Sequence, residues 1–316
     1  MKRNAVFGGI LWMGIAAASQ MSLARLTSIE LLFLLGPLVV VPLGLQLCTR
    51  ILREEDLRFF GRIAPWVQFP AAICVAASLW IPPGVAATIL VGPWFCVGCI
   101  AGIVAVRILI RGGYKNLQTA CAIVSFLYLP VGCAWLAASR LGMTPMGFQE
   151  PIVLLTAVHF HFAGFAAPLL AMAVASESKL EGLAARRIFM AVAAGVLAGP
   201  GLLAAGFVIG PRMKLAAALV VACSETGLAL YFLIAVRNLR PRLAQAFVAI
   251  SALSVLFAMA FAAVWAIGEF PLQPFVHLDQ MARFHGTANA VGFVLCGLAG
   301  WTRASSQAAF RKGDQR

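Results

Sequence analysis

Apolar runs of about twenty residues recur ten times along this chain, separated by short polar or turn-forming breaks. They cover roughly 5–24, 29–48, 63–81, 86–106, 117–138, 151–175, 188–210, 215–236, 243–267 and 285–302. The breaks are Arg50–Arg62, Pro82-Pro83-Gly84, Arg111-Gly112-Gly113, Pro211 and Arg240-Pro241-Arg242. A helix rises 1.5 Å per residue, so about 20 apolar residues cross the roughly 30 Å hydrocarbon core of a bilayer. The pattern predicts an all-α, polytopic transmembrane helix bundle of about ten spans. One integral-membrane domain covers 1–303, followed by a short, basic and loose cytoplasmic tail over 304–316. Composition closes the alternatives. Only 11% of residues are charged and 62% are hydrophobic, against about 25% charged in a soluble domain. A soluble globule and a disordered chain are both excluded.

Charge sets the expected orientation. Alternating the connections between two sides puts 19 of the 24 Lys and Arg on one side, from Lys2 and Arg3 through Arg50, Arg111 and Arg240 to Arg316. The other side holds Arg25, Arg140, Arg212, Lys214 and Arg283. Positive charge is retained on the cytoplasmic face. Both termini are therefore expected there, in a multi-pass protein of the cell (inner) membrane. The net charge of +13 lies in short clusters between spans and predicts no nucleic-acid partner. The first segment follows Lys2-Arg3 as a signal peptide would, but it is long, holds Trp12 and lacks a clean cleavage box. A retained helix is expected. The longest cytoplasmic loop is read as Arg50–Arg62, and the longest outer stretch as Glu269–Phe284, where Pro271 and Pro274 oppose a continuous helix.

Ionisable residues inside spans mark function in a bilayer. Glu225 lies near the middle of the eighth span, about 15 Å below its outer end. A carboxyl at that depth must be protonated, paired or wet. The sixth span carries Thr156-Ala157-Val158-His159-Phe160-His161-Phe162-Ala163-Gly164-Phe165, and the tenth begins His285-Gly286-Thr287-Ala288-Asn289. His159 is about 12 Å deep, and His285 and Asn289 are one turn apart on one face. Glu225, His159 and Asn289 thus fall at comparable depth, and one polar pocket in the outer half of the membrane would collect them, with Thr156 on the face of His159. On a helix, residues i and i+2 point about 200° apart, so His159 and His161 cannot chelate one ion. His161 is assigned to interhelical hydrogen bonding among small residues. No cofactor is expected. A divalent metal held by His159, His285 and Glu225 is the minority reading, because no single element supplies ligand spacing. His277 and Asp279 could gate the pocket from the outer loop, but a solvated loop with an Asp279–Arg283 surface pair, four residues apart, is the preferred reading. Glu30 reads as an interfacial carboxylate. The eight cysteines, Cys96 and Cys99 among them, read as packing residues. Gly195–Gly199 and Gly206–Gly210 permit close helix approach without naming a partner. No Walker A, Rossmann or nucleophile-elbow motif is present.

The two histidine motifs, Thr156 to Phe165 and His285-Gly286-x-x-Asn289-Ala290-x-Gly292-Phe293, resemble the YndJ-like family of bacterial membrane proteins. The resemblance implies a transporter and supplies neither a substrate nor a catalytic residue. Ten short-looped spans with a buried Glu and nearby His suit a proton-linked secondary carrier or permease for a small, weakly polar or amphipathic solute. An integral-membrane enzyme acting on a lipid or isoprenoid, metal-assisted or not, would use the same residues through a lateral opening. A non-catalytic subunit or sensor is the third reading. An enzyme ranks below a carrier.

Overall fold

The computed structural model describes residues 1–21, 26–177, 182–269 and 276–313, and leaves the side chains of 54–56, 58–60, 62, 177, 269 and 305–313 outside the description. Arg25, Lys179, Pro271, Pro274 and the last three tail residues therefore lie outside the described residues, as do the side chains of Arg58, Arg62, Glu269, Arg311 and Lys312. Among the described residues there are helices and no strand. Ten helical stretches follow one another: α1 Lys2–Gln20, α2 Ser28–Ile51, α3 Glu54–Ser78, α4 Val85–Ile110, α5 Leu117–Leu141, α6 Ile152–Ser176, α7 Leu183–Ile209, α8 Pro211–Val236, α9 Arg242–Glu269 and α10 over 278–313. Seven of them, α2 and α4 to α9, are long and apolar enough to cross a membrane, and α3 holds a shorter apolar helix over Ile63–Ser78. Ile89, Ile103, Ile209, Ile234 and Leu253 are each more than half exposed. Large aliphatic side chains displayed outwards along apolar helices require lipid rather than water around them.

Three connections differ from the sequence reading. The stretch Arg50–Arg62 is mostly helix, because α3 starts at Glu54. The outer segment becomes helical at Leu278, where the backbone N–H of His277 donates to Gln280 at 3.0 Å. The tail continues α10 as helix to Gly313 rather than running loose. Polar helix at a membrane surface carries no hydropathy signal, so hydropathy alone places each boundary too close to the apolar segment.

The chain divides into two compact units, Met1–Ala166 and Ala167–Arg316. In the first, α2 is the most enclosed span. Its start is fixed by a capping box: Glu30 N–H donates to the Thr27 hydroxyl at 3.2 Å, and the Glu30 carboxylate accepts from Thr27 N–H at 2.7 Å. Glu30, an interfacial carboxylate by sequence, thus caps the start of α2. At Gly36–Val40 the helix widens to π geometry around Pro37, which has no N–H for the α-helical ladder. Gln68 of α3, fully buried, donates to the Pro37 carbonyl at 2.7 Å and accepts from Asn4 of α1 at 3.2 Å. Arg140, near the end of α5, is buried and donates to the carbonyls of Ser78 at 3.0 Å and Ile81 at 2.5 Å. These are carbonyls at and just beyond the C-terminus of α3, where the helix leaves acceptors without N–H partners. Arg140→Met, which keeps the aliphatic stem, is expected to lower the stability of the detergent-solubilised protein by about 2 kcal/mol, since charge-assisted hydrogen bonds contribute about 1.5–3 kcal/mol. An unchanged thermal midpoint would show that the guanidinium does not hold α5 to α3.

In the second unit, α7 and α8 meet through glycines. A Cβ on Gly195 would overlap the Ser224 side chain, and one on Gly199 would come within 2.8 Å of Val221. The Gly195–Gly199 pair therefore has α8 as its partner. Helix α9 packs against both α8 and α10. Ser251 of α9 donates to the Phe293 carbonyl at 2.7 Å, while Ala258 lies beside His285. Rising numbers on α9 meet falling numbers on α10, so the two run antiparallel. The α8–α9 pair is joined by a short connection and is antiparallel as well, which makes α8 and α10 parallel.

Candidate functional site

In the first unit, α6 is α-helical to His159 and then π-helical over Phe160–Ala166. A π turn takes one extra residue per hydrogen-bonded ring and occurs frequently at functional sites. His161 sits inside this turn and is fully buried. Its Nε2 accepts from the Trp94 indole N–H of α4 at 3.1 Å, and its Nδ1 lies 2.8 Å from the Ala157 carbonyl. Indole nitrogen can only donate and a carbonyl can only accept. The proton of His161 is therefore on Nδ1, the ring is neutral, and both nitrogens are committed. Phe33 stands edge-on at 5.1 Å. A Cβ on Gly132 would come within 2.7 Å of Nδ1, so glycine at this position makes room for the ring. His161 is a structural pin between α6 and α4. His159 is half-buried, with the Phe160 ring edge-on at 5.6 Å. Thr156 spends its hydroxyl hydrogen on the Ile152 carbonyl at 2.8 Å.

The second unit holds Glu225, His285 and Asn289. His285 and Asn289 fall within a run of π turns, Met281–Gly286 and Ala288–Leu295. His285 Nδ1 lies 2.9 Å from the Ala258 carbonyl, and Asn289 Nδ2 lies 3.1 Å from both His285 Nε2 and the His285 carbonyl. The carbonyl contact fixes the amide with its NH2 towards His285, so Nε2 accepts and Nδ1 carries the proton. As in His161, the ring is neutral, and neither nitrogen of His285 keeps a lone pair for a metal in this arrangement. Among the described residues, no three His, Cys, Asp or Glu side chains gather as a metal site. His277 and Asp279 are exposed ahead of these turns.

Glu225 is 5% exposed, next to the Ser224–Gly195 contact that draws α7 and α8 together. Its Oε2 is buried with no hydrogen-bond partner among the described residues. Phe232 of α8 touches Phe293 of α10, ring centroids 6.2 Å apart. Seven residues separate Glu225 from Phe232, and eight separate His285 from Phe293, each roughly 10 Å of helix. Since α8 and α10 are parallel, Glu225 and the His285–Asn289 pair stand at similar height in this unit. His159 and Thr156 belong to the first unit.

The histidine motifs share one construction. In each, the imidazole Nδ1–H donates to an alanine carbonyl, and a serine from a neighbouring helix donates to the phenylalanine carbonyl of a Gly-Phe pair: Ser125 to Phe165 at 2.6 Å and Ser251 to Phe293 at 2.7 Å. Carbonyls released by the wider turn are satisfied in this way. Ser125, Ser251 and Trp94 were not singled out from the sequence. A lone serine in an apolar span hints at interhelical bonding, but nothing local names the acceptor.

A family model described as YndJ-like protein matches residues 31–293, which include both motifs. The chain belongs to the YndJ-like family. It is 24% identical over 307 residues to a Bacillus subtilis (strain 168) protein named uncharacterized membrane protein YndJ, covering 95% of this chain and 53% of that one. This YndJ-like chain thus spans about half the length of the curated relative it matches. No solved structure matches it. Its apolar, outward-facing helices and its family agree that it is an integral membrane protein.

Proposed function

We propose that this YndJ-like protein is a secondary carrier of the inner membrane, with a proton-linked site formed by Glu225 beside the His285–Asn289 pair. The observation that carries the reading is a carboxylic acid in the middle of an apolar helix, enclosed, with an oxygen that has no hydrogen-bond partner among the described residues. A structural acid at that depth would be expected to bond to its neighbours, because an unpaired polar atom in the interior is costly. An oxygen left open is suited to a proton or to a polar solute passing through. His277 and Asp279 are proposed to stand at the outer entrance of this site, and Thr156 and His159 are proposed as a separate polar site of the first unit. All ten helical stretches are proposed to cross the bilayer, with both termini in the cytoplasm. Reporter fusions after Gly313 should then be active only on the cytoplasmic side.

Carriers differ from lipid enzymes and static subunits in access. In a background with the eight cysteines replaced, Asn289→Cys should react with membrane-impermeant thiol reagents applied from either side. Labelling from a single side, at every pH tested, would contradict alternating access and favour the enzyme reading.

A further inference from the structure

A cavity of about 380 Å³ lies in the first unit, at the ends of α1, α2 and α3 where Lys2 and Arg50 stand. Both side chains are exposed at its mouth, Gln46 and Thr49 lie on its wall, and Ala64 and Phe126 give it apolar walls. Its chemistry is therefore divided, cationic outside and apolar inside. Gln46 adds a second requirement: its Oε1 is buried with no hydrogen-bond partner among the described residues. Negative charge suits a mouth framed by Lys2 and Arg50, a hydrogen-bond donor suits Gln46, and a carbon skeleton suits the walls. The volume holds a headgroup and a few carbons, not two acyl chains, which would have to lie outside. Trp66, next to the cavity-lining Pro65, is 80% exposed at this end, as befits an aromatic residue at a lipid interface. Basic pockets between membrane helices are known to take phosphate headgroups.

We propose that this cavity binds the headgroup of an anionic phosphodiester bearing a free hydroxyl, with Lys2 and Arg50 on the phosphate and Gln46 accepting from the hydroxyl. The proposal does not rest on the carrier reading. The same headgroup chemistry occurs in a lipid, phosphatidylglycerol, and in its soluble deacylated form, glycerophosphoglycerol.

Delipidated full-length protein in neutral detergent would be titrated with phosphatidylglycerol, phosphatidylcholine and glycerophosphoglycerol, with binding read by native mass spectrometry. Phosphatidylglycerol should saturate one site at least tenfold more tightly than phosphatidylcholine, which has neither net charge nor donor. A Lys2→Ala, Arg50→Ala double variant should bind it about thirtyfold more weakly, about fivefold per charge. Gln46→Glu, of the same shape but with added negative charge, should weaken it at least tenfold and provides the test if the double variant does not fold. Binding of glycerophosphoglycerol as tight as that of the lipid would support the site with a soluble source. Binding of the lipid alone would support it with the bilayer as source. Equal affinity for the two lipids, or full affinity in both variants, would overturn it.

Discussion

His161→Ala is expected to lower the stability of the protein by about 3 kcal/mol. The alanine leaves a void where α4, α5 and α6 converge, and large-to-alanine changes in packed interiors cost about 2–5 kcal/mol. It also leaves the Trp94 N–H without its 3.1 Å acceptor. Interhelical hydrogen bonds in membranes average only about 0.6 kcal/mol, so packing supplies most of the effect. That division is testable. His161→Leu, close in volume, should cost only about 1–2 kcal/mol, although it removes both hydrogen bonds. Thermal or denaturant unfolding in one detergent would separate the two variants. Equal losses for Ala and Leu would show that the hydrogen bonds, not the filled volume, hold the helices, and no loss for either would remove His161 from the core of the fold.

Glu225→Gln has the larger expected effect on activity. Glutamine keeps the shape of the side chain and its capacity for hydrogen bonding but has no proton to release. If Glu225 carries protons, the variant should fold, insert and elute like the wild type, yet fail to rescue the phenotype of a strain lacking the protein. Residual activity should lose its dependence on pH. A Glu225 that serves only as a neutral, structural acid would tolerate glutamine and rescue fully across the pH range. Asn289→Leu should impair rescue as well, since it strips His285 of its Nε2 donor and leaves the ring free to rotate or change tautomer. His161→Leu, destabilised but outside the proposed site, should rescue in proportion to the amount of folded protein.

The residues differ in how much of this the sequence could disclose. Seven of the ten apolar segments correspond to helices long and apolar enough to cross a membrane, and they were legible because hydropathy is a local property. The capping box at Thr27 is equally local, in the Thr-x-x-Glu spacing of Thr27 and Glu30, although the same Glu30 fits an interfacial carboxylate as well. The polar start of α3, with Glu54, Glu55 and Asp56, carries no apolar pattern, so hydropathy does not reveal the helix there. The π turns were not legible at all. Side-chain faces were counted at 3.6 residues per turn, and that count fails wherever the helix takes an extra residue. His161 was separable from His159 by angle alone, but its partner Trp94 lies 67 residues away, and only the folded chain joins them. Glu225 was visible as a misplaced carboxyl, and helix rise alone set it level with Asn289, whereas the packing of α8 against α10 needed the contact between Phe232 and Phe293.

The most direct measurement of the central claim is infrared difference spectroscopy of the purified protein in lipid, cycled between acid and alkaline buffer. A buried carboxyl that takes up and releases a proton should give a protonated C=O band at acid pH that disappears reversibly on alkalinisation. The band should be missing in Glu225→Gln and altered in position by Asn289→Leu. A Glu225 band that stays constant across the whole pH range, or a titrating band that survives in Glu225→Gln, would contradict a proton-linked site at this residue.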